Sequence, residues 1–240
     1  MGVEHLEQRQ RGSPALGTAS DRLRAKIWLV SPPYAVACRR LIDHPRVAEA
    51  LPEFLFQFHC IIRTTVPLME AAIERSDMMS LTDPVADGVG DYLKQHVEEE
   101  RDHDEWLLGD LEVLGWDRQT ALRRVPTPTV AALAGAQYYW VLHYHPVALL
   151  GYFAFMEGSP PTPALIDELV AKTGHPRVAF RTLEKHGELD PGHSEEIDRV
   201  IDSLPLTPEH ETVLGLSAMS TANLLWRMAE EVLDAFPVAS

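Results

Sequence analysis

The sequence predicts an all-α protein with a single domain of about seven or eight helices. Apolar residues recur at helical spacing in the long segments, and no segment shows the alternation of apolar and polar residues that is typical of a β-strand. Pro and Gly separate the segments, and no long Gly/Ser linker divides the 240 residues. A hydrophobic content of 45% is enough for one sizeable core.

Each predicted helix is bounded by Pro or Gly. Pro is favoured at the first helical position because the N–H that it lacks would be unbonded there, and Gly is favoured just after the last turn. Residues 1–25 show no apolar period and are predicted to form a disordered tail before a helical domain at residues 26–240. The predicted helices cover residues 32–43, 53–75, 84–114, 129–156, 163–173, 176–203 with an interruption at 190–192, and 208 onward.

The composition argues against several classes of partner. A formal net charge of −15 disfavours nucleic acid and anionic membranes, because both require a basic face. No apolar run approaches the roughly 20 residues that a bilayer-spanning helix needs, and the N-terminal residues show no secretory signal. We therefore expect a cytoplasmic protein without a membrane or nucleic-acid partner, in which Cys38 and Cys60 are core thiols rather than a disulfide.

One spacing of two histidines and a carboxylate occurs twice in the chain. The two trios are His96, Glu100 and His103, and His186, Asp190 and His193. In a helix, steps of four and seven residues return to within roughly 40° of the start, so each trio would lie on one stripe. Mixed imidazole and carboxylate ligands suit iron(II). The alternative for the first trio is that the charged run at residues 98–105 is a solvated helix face.

Glu157 is a further candidate ligand. It ends an otherwise apolar segment at residues 146–156, and a carboxylate is costly to bury there unless it is paired or bound to a metal ion. The alternative is a solvated helix terminus next to Gly158. On sequence alone the two interpretations have equal weight.

These motifs, in this order, resemble those of the haem-oxygenase-like di-iron oxidases and oxygenases, a family of TenA-like, iron-containing redox enzymes. The resemblance spans roughly residues 50–235. It implies a seven-helix haem-oxygenase-like bundle without haem, with two Fe(II) ions per chain held between three core helices. Carried over by position, the metal ligands are Glu100, His103, Glu157, His186, Asp190 and His193.

The resemblance also implies a function. Iron(II) would activate O2 to oxidise a small organic substrate, such as an amino acid, a fatty acid or an amine, by N-oxygenation, desaturation or C–C cleavage. An external electron donor is expected as a further partner, and a homodimer is left open. Aromatic residues before Glu157 either line a substrate pocket or only fill the core, and a substrate carboxylate would need a cation. The pocket candidates are Tyr139, Tyr152 and Phe155, with Tyr138 and Trp140 near them, and the candidate cations are Arg63, Arg181 and Lys185.

Two departures from the family pattern concern single residues. Some members carry a carboxylate seven residues before the histidine that matches His103, where this chain has His96. We therefore expect His96 to be an extra ligand or a group that orients one. The N-oxygenating members also use a further glutamate. Neither Glu99, which is predicted to point off the stripe, nor Glu70, on another helix, is assigned that role, so N-oxygenation is not favoured.

Three alternative functions remain open. A ferritin-like di-iron bundle would add Glu70 to the ligands, but Asp190, the extra His186 and Pro191 inside a helix fit that scheme poorly. A thiaminase-like TenA hydrolase would need a cysteine nucleophile, and neither cysteine has an evident base beside it. A non-catalytic iron-binding or ligand-binding protein is also consistent with the sequence, and consumption of O2 would separate it from an enzyme.

Overall fold

The computed structural model describes residues 17–238, which fold into helices and connecting loops. No strand occurs in this range, so the prediction of an all-α fold is confirmed. The range contains twelve α-helices rather than seven, and none of them is both long and apolar enough to cross a membrane. The α-helices are α1 (Ala19–Val30), α2 (Pro32–Ile42), α3 (Val47–Ile62), α4 (Thr65–Met79), α5 (Pro84–Glu99), α6 (His103–Val113), α7 (Arg118–Arg123), α8 (Pro128–His143), α9 (Ala148–Met156), α10 (Pro163–Thr173), α11 (Arg181–Ser203) and α12 (Pro208–Ala235), with a 3-10 helix at Arg177–Phe180 before α11.

The additional helices arise because short loops divide segments whose apolar pattern looks continuous. The predicted helix 84–114 breaks between α5 and α6, where Asp102 adopts a left-handed conformation with φ 67°. The predicted helix 129–156 breaks between α8 and α9, where Pro146 disfavours a helical conformation for the residue before it. Apolar residues continue on both sides of each break, so the apolar pattern of the sequence hides it.

Packing against α12 places the end of α9 inside the protein. The 28-residue α12 packs most extensively on α9, and also on α2, α8 and α1. Gly151 permits the close approach of α9, because a Cβ at that position would lie 2.2 Å from the backbone oxygen of Leu214. Every residue from Ala148 to Phe155 is buried. The residue that follows such a helix is therefore carried into the core.

Helix α1 begins inside the segment that the sequence assigned to a disordered tail. Residues 1–16 of that tail lie outside the described residues, but the prediction is wrong for residues 19–25. Thr18 and Asp21 form a capping box, in which each side chain accepts a hydrogen bond from the backbone N–H of the other. Arg24 pairs with Asp198 of α11 at 2.9 Å. A local cap and a long-range ion pair stabilise a helix that has little apolar periodicity.

Helix α11 runs without a break from Arg181 to Ser203, so the predicted interruption at residues 190–192 is wrong. Pro191 removes the N–H that would bond the carbonyl of Gly187, one turn earlier. Pro191 and Gly192 are both exposed, so water can replace this bond without burying an unpaired carbonyl. The continuous helix keeps the histidines and the aspartate of the second motif on one stripe.

Candidate metal centre

The six residues predicted as ligands lie on four helices that meet in the core. Glu100 follows the end of α5, His103 begins α6, Glu157 follows the end of α9, and the residues of the second motif lie along α11. His186 is half-buried and the other five are buried. The run at residues 98–105 is therefore not a solvated face at Glu100 and His103, and Glu157 is not a solvated helix terminus.

One group of side chains joins α5, α9 and α11. It consists of His96, Glu100, Glu157 and His193, and one potential ligand atom from each lies within 4.8 Å of the others. His96 Nε2 is 3.3 Å from Glu157 Oε1, and His193 Nδ1 is 3.7 Å from Glu157 Oε2. Two imidazoles and two carboxylates at this spacing could hold a cation between them.

A second group joins the start of α6 to α11 and includes Glu100 again. Glu100, His103 and His186 also place one potential ligand atom each within 4.8 Å of one another. His186 Nδ1 donates a hydrogen bond to the backbone carbonyl of Thr182 at 2.9 Å. This bond fixes the tautomer of a neutral ring and leaves the lone pair on Nε2 free for a metal ion.

The break between α5 and α6 allows Glu100 to belong to both groups. Its Oε1 atom lies 3.9 Å from His193 Nδ1, and its Oε2 atom lies 3.2 Å from His103 Nδ1. The chain then turns at Asp102, whose positive φ is rare for a residue other than glycine. Glu100 and His103 are consequently on two helices, not on one continuous stripe as the spacing predicted.

Three carboxylates lie in this buried region, and the charged form is disfavoured for two of them, Asp190 and Glu157, whereas nearby histidines lower the pKa of Glu100 despite its burial. Burial raises the pKa of Asp190 to about 8, and the negative charges of Glu157 and Glu100 add to the effect. Burial also raises the pKa of Glu157, although the nearby His96 opposes the shift. Glu157, and more weakly Glu100 and Glu99, raise the pKa of His96 to about 9 against the effect of its burial. A cation would compensate the negative charge that the protein concentrates here.

Several buried polar atoms of these residues have no hydrogen-bond partner. Buried polar groups without a partner are rare and costly, so a cluster of them at one place indicates that something else satisfies them. His103 Nδ1 lies close to Glu100, but the pair does not have hydrogen-bond geometry. The unpartnered atoms in the cluster are both ring nitrogens of His103, His193 Nδ1, Glu157 Oε2 and Asp190 Oδ1. This donor set fits bound iron.

The structure also bears on several residue predictions. His96, predicted as an extra ligand or as a group that orients one, lies within the first group. Glu70 is exposed on α4, so it cannot complete a ferritin-like ligand set. Tyr139 is 51% exposed and lines no internal pocket, whereas Tyr152 and Phe155 are buried in α9.

Aromatic packing around the histidines was not predicted. The ring of Trp106 lies 4.0 Å from that of His103, and Lys185 Nζ lies 3.4 Å from the centre of the Trp106 ring. Tyr92 stacks on His96 with ring centres 5.1 Å apart. Tyr92 precedes His96 by four residues and Trp106 follows His103 by three, so helical spacing could have identified both.

A third cluster of potential ligands, at the far end of α5, does not fit a metal ion. Asp83, His145 and His210 lie close together, but the N–H of Val147 donates to His145 Nδ1 at 3.0 Å. A neutral His145 then carries its proton on Nε2, which donates to Asp83 at 3.2 Å. The N–H of Thr207 likewise donates to His210 Nδ1. Neither Nε2 offers a lone pair, so the cluster ties α5, α12 and the α8–α9 loop together.

Two solved structures show the same fold as this chain. A domain of unknown function with a heme oxygenase-like fold from Shewanella denitrificans OS217 has a TM-score of 0.70 at 17% identity, covering 98% of this chain and 94% of that one. A TenA homolog from Pseudomonas syringae pv. tomato strain DC3000 has a TM-score of 0.67 at 12% identity, covering 94% and 98%. At these identities the likeness concerns the fold alone. No curated protein matches the sequence.

A family model supplies the remaining evidence. The model described as iron-containing redox enzyme matches residues 53–226, which contain both histidine motifs and Glu157. The match covers well over half of the chain, and the buried donor groups described above lie within it. The chain therefore has the haem-oxygenase-like fold and belongs to the family of iron-containing redox enzymes.

Proposed function

We propose that the protein is a non-haem di-iron oxidase or oxygenase that activates O2 to oxidise a small organic substrate. The observation that supports this most strongly is the pair of donor groups in the core that share Glu100, because a carboxylate between two donor sets could serve two neighbouring cations. Family membership supports iron as the cation. The proposed ligands remain Glu100, His103, Glu157, His186, Asp190 and His193.

The chain's own residues would position the ions and control protons. Bound iron(II) would supply the electrons that reduce O2, which amino-acid side chains do not provide. His186 presents Nε2 because its Nδ1–H is bonded to Thr182. Asp190, with a pKa of about 8, holds a proton at neutral pH and must release it to bind a cation. Burial of the carboxylates limits the access of bulk water.

The substrate class is proposed from Lys185, a cation that lies close to the second group. Lys185 covers one face of Trp106, and the Trp106 ring packs on His103. Arg181 is exposed and Arg63 is half-buried at the end of α3. Lys185 would therefore bind the carboxylate of an amino-acid or fatty-acid substrate, and an external electron donor would support repeated turnover.

A thiol-dependent hydrolase is less well supported. Burial raises the pKa of Cys38 to about 11, although a hydrogen bond with Tyr34 opposes this shift. Burial also raises the pKa of Cys60. At neutral pH both thiols are protonated, whereas a nucleophilic cysteine must be a thiolate. The solved TenA homolog supports this alternative only through its fold.

Metal content and O2 consumption together test the proposal. Protein loaded anaerobically with iron(II) should retain up to two ions per chain, and His103→Ala and His186→Ala should each lose most of this iron. His143→Ala is the control, because His143 is exposed at the end of α8. Stoichiometric iron in the double variant would reject the ligand set.

Oxygen uptake distinguishes an enzyme from an iron-binding protein. We expect the iron(II)-loaded protein to consume O2 faster when a member of the right substrate class is added. Amino acids, medium-length fatty acids and arylamines would be compared at equal concentration. Normal iron binding without stimulated O2 uptake by any of the three classes would favour the non-catalytic alternative.

A further inference from the structure

Glu99, the last residue of α5, places one carboxylate oxygen between two imidazoles of the first group. Its Oε2 atom lies 3.2 Å from His96 Nδ1 and 3.5 Å from His193 Nε2. The Glu99 side chain is 50% exposed, while both imidazoles are buried. Glu99 is thus the point at which the first group meets solvent.

The position of Glu99 determines which ring nitrogens are free. An ionised carboxylate only accepts hydrogen bonds, so His96 Nδ1, which is hydrogen-bonded to Glu99, carries the hydrogen when the ring is neutral, and His193 Nε2, which faces the same oxygen at 3.5 Å, is the nitrogen placed to do the same. His96 Nε2 also faces a carboxylate, but a cation bound between Glu157 and the two rings would replace a proton there, and the opposite nitrogens, His96 Nε2 and His193 Nδ1, would then supply the lone pairs. These are the atoms that face Glu157, at 3.3 and 3.7 Å. Both lone pairs are therefore directed into the group.

Packing independently fixes the orientation of the His96 ring. Tyr92 stacks on one face at 20° to the ring plane, and Phe153 meets the ring edge-on with ring centres 5.3 Å apart. The His193 ring stands at 87° to it, with ring centres 4.8 Å apart. Because the ring cannot turn freely, exchange of its two nitrogens by rotation is restricted. Glu99 then decides the tautomer rather than the position of the ring.

We propose that His96 is a seventh ligand of the metal centre and that Glu99 is a positioning residue, which selects Nε2 of His96 and Nδ1 of His193 for the metal ion. The first metal position would then have two imidazoles and two carboxylates, including the shared Glu100. This inference rests on the proposed function only in requiring a bound cation, and it requires no oxygen chemistry.

Zinc(II), a diamagnetic probe, allows the ring nitrogens to be observed directly. In the zinc-loaded 240-residue chain, 15N NMR of the histidine side chains should show a metal-bound Nε2 and a protonated Nδ1 for His96. His193 should show the converse pattern. A His96 ring with two protonated nitrogens, or with its proton on Nε2, would overturn the proposal.

Substitution of Glu99 tests the positioning role. Glu99→Leu should weaken zinc binding at the first position about 10- to 100-fold, the usual effect of losing a carboxylate that orients a metal-binding histidine. Glu98→Leu is the matched control, because the neighbouring Glu98 is exposed and pairs only with Arg101. Equal affinities in the two leucine variants would overturn the role of Glu99.

A conservative variant keeps the test decisive if Glu99→Leu does not fold. Glu99→Gln retains an acceptor oxygen without the charge, so we expect the parental pattern of bound nitrogens with a smaller loss of zinc affinity. Parental affinity in Glu99→Gln would contradict the role of the carboxylate charge. Absence of O2 uptake by the iron-loaded protein would reject the proposed activity alone, since zinc binding and NMR do not depend on it.

Discussion

Glu157 illustrates a conflict between stability and metal binding that it shares with Asp190. Burial raises its pKa, His96 partly reverses this shift, and the charge of Glu100 raises the pKa again. A group of this kind opposes folding when no cation is present, because its charged form is poorly solvated. Its negative charge is nevertheless what a bound cation needs. Stability and metal binding therefore impose opposite requirements at this residue.

Glu157→Gln should move these two properties in opposite directions. Above pH 9, where His96 is neutral and no longer offsets the Glu157 charge, the neutral glutamine, which has nearly the same shape, should raise the unfolding free energy of the metal-free protein by about 1–2 kcal/mol. Retained iron should fall clearly, because one charged donor is lost. Urea unfolding and iron analysis measure the two effects, and Glu188→Gln, at an exposed position on α11, is the control. A purely structural role would instead lower stability while leaving iron content unchanged.

Local spacing in the sequence predicted which residues form the metal centre better than it predicted which residues contact them. Helical periodicity places His186 and His193 on one face of α11, as the second motif predicted, whereas the turn at Asp102 separates His103 from His96 in the first motif. The contact of Glu99 with His193 depends on how α5 meets α11, and no local pattern encodes that approach. Tyr139 was assigned to a pocket because the break between α8 and α9 is invisible in the apolar period, and the break changes the orientation of every residue before it.

The loop between α5 and α6 is the element that shapes the shared site. Asp102 supplies its left-handed residue, with φ 67° and ψ 7°. Asp tolerates this conformation better than most residues because its short polar side chain can bond locally, whereas a β-branched residue is strained there. The loop lets one helix end at Glu99 and the next begin at His103, with Glu100 between the two donor groups.

Substitutions of Asp102 should follow this conformational requirement. Asp102→Gly should retain iron and change stability by less than about 1 kcal/mol, because glycine adopts positive φ without strain. Asp102→Val should lower stability by about 1–2 kcal/mol and reduce retained iron. Asp102 is exposed, so neither change disturbs the core directly. Equal iron content and stability in the two variants would show that the turn does not position Glu100.

Helix α11 provides a second prediction at the scale of an element. Pro191 costs a helix interior roughly 3 kcal/mol, and Gly192 adds about 1 kcal/mol relative to Ala. Metal binding contributes folding free energy when the site must be ordered to bind. We therefore expect amide exchange at residues 186–194 to be faster in the metal-free protein and to slow when iron(II) binds. Residues 220–230 of α12 serve as the internal reference.

Equal and strong protection of residues 186–194 in both states would contradict a metal-ordered segment. That result would mean that packing of α11 on α1, α6 and α9 alone offsets the cost of Pro191. Pro191→Ala provides a further check. This substitution should raise the protection of residues 186–194 against amide exchange in the metal-free protein. It should also reduce the difference in protection between the metal-free and the iron-loaded protein.

At the scale of elements, caps were predictable and breaks were not. Pro at the first helical position marked the starts of α2, α5, α10 and α12 correctly. The same rule predicted an interruption at Pro191 that does not occur, because Pro191 lies on the exposed side of α11 and its missing N–H removes a single helical bond. The all-α fold itself required only the absence of strand alternation and the helical period.

Across the whole molecule, a bound metal would act as a cross-link between α5, α6, α9 and α11. These helices and the residues that directly follow them carry all seven candidate ligands. The buried carboxylates, which repel one another when no cation is bound, belong to different helices. A ligand that binds only the folded state stabilises it by about 3–4 kcal/mol at 100 to 1,000 times its dissociation constant. The stability of the metal-free fold should therefore depend on the protonation of the centre.

The pH dependence of metal-free stability tests this global role. Asp190 has a folded pKa of about 8 against an unfolded value of roughly 3.9, and His96 has about 9 against roughly 6.5. Because both folded values are raised, each group contributes stability that is present below its unfolded pKa and is lost as pH rises through its folded pKa. We expect the free energy of unfolding of the metal-free protein to fall from pH 6 to pH 9.

Urea titrations at several pH values measure this free energy, and Asp190→Asn should show a shallower decline because its side chain does not ionise. A metal-free protein as stable at pH 9 as at pH 6, or an Asp190→Asn variant with the parental slope, would mean that these buried charges are already compensated without a cation.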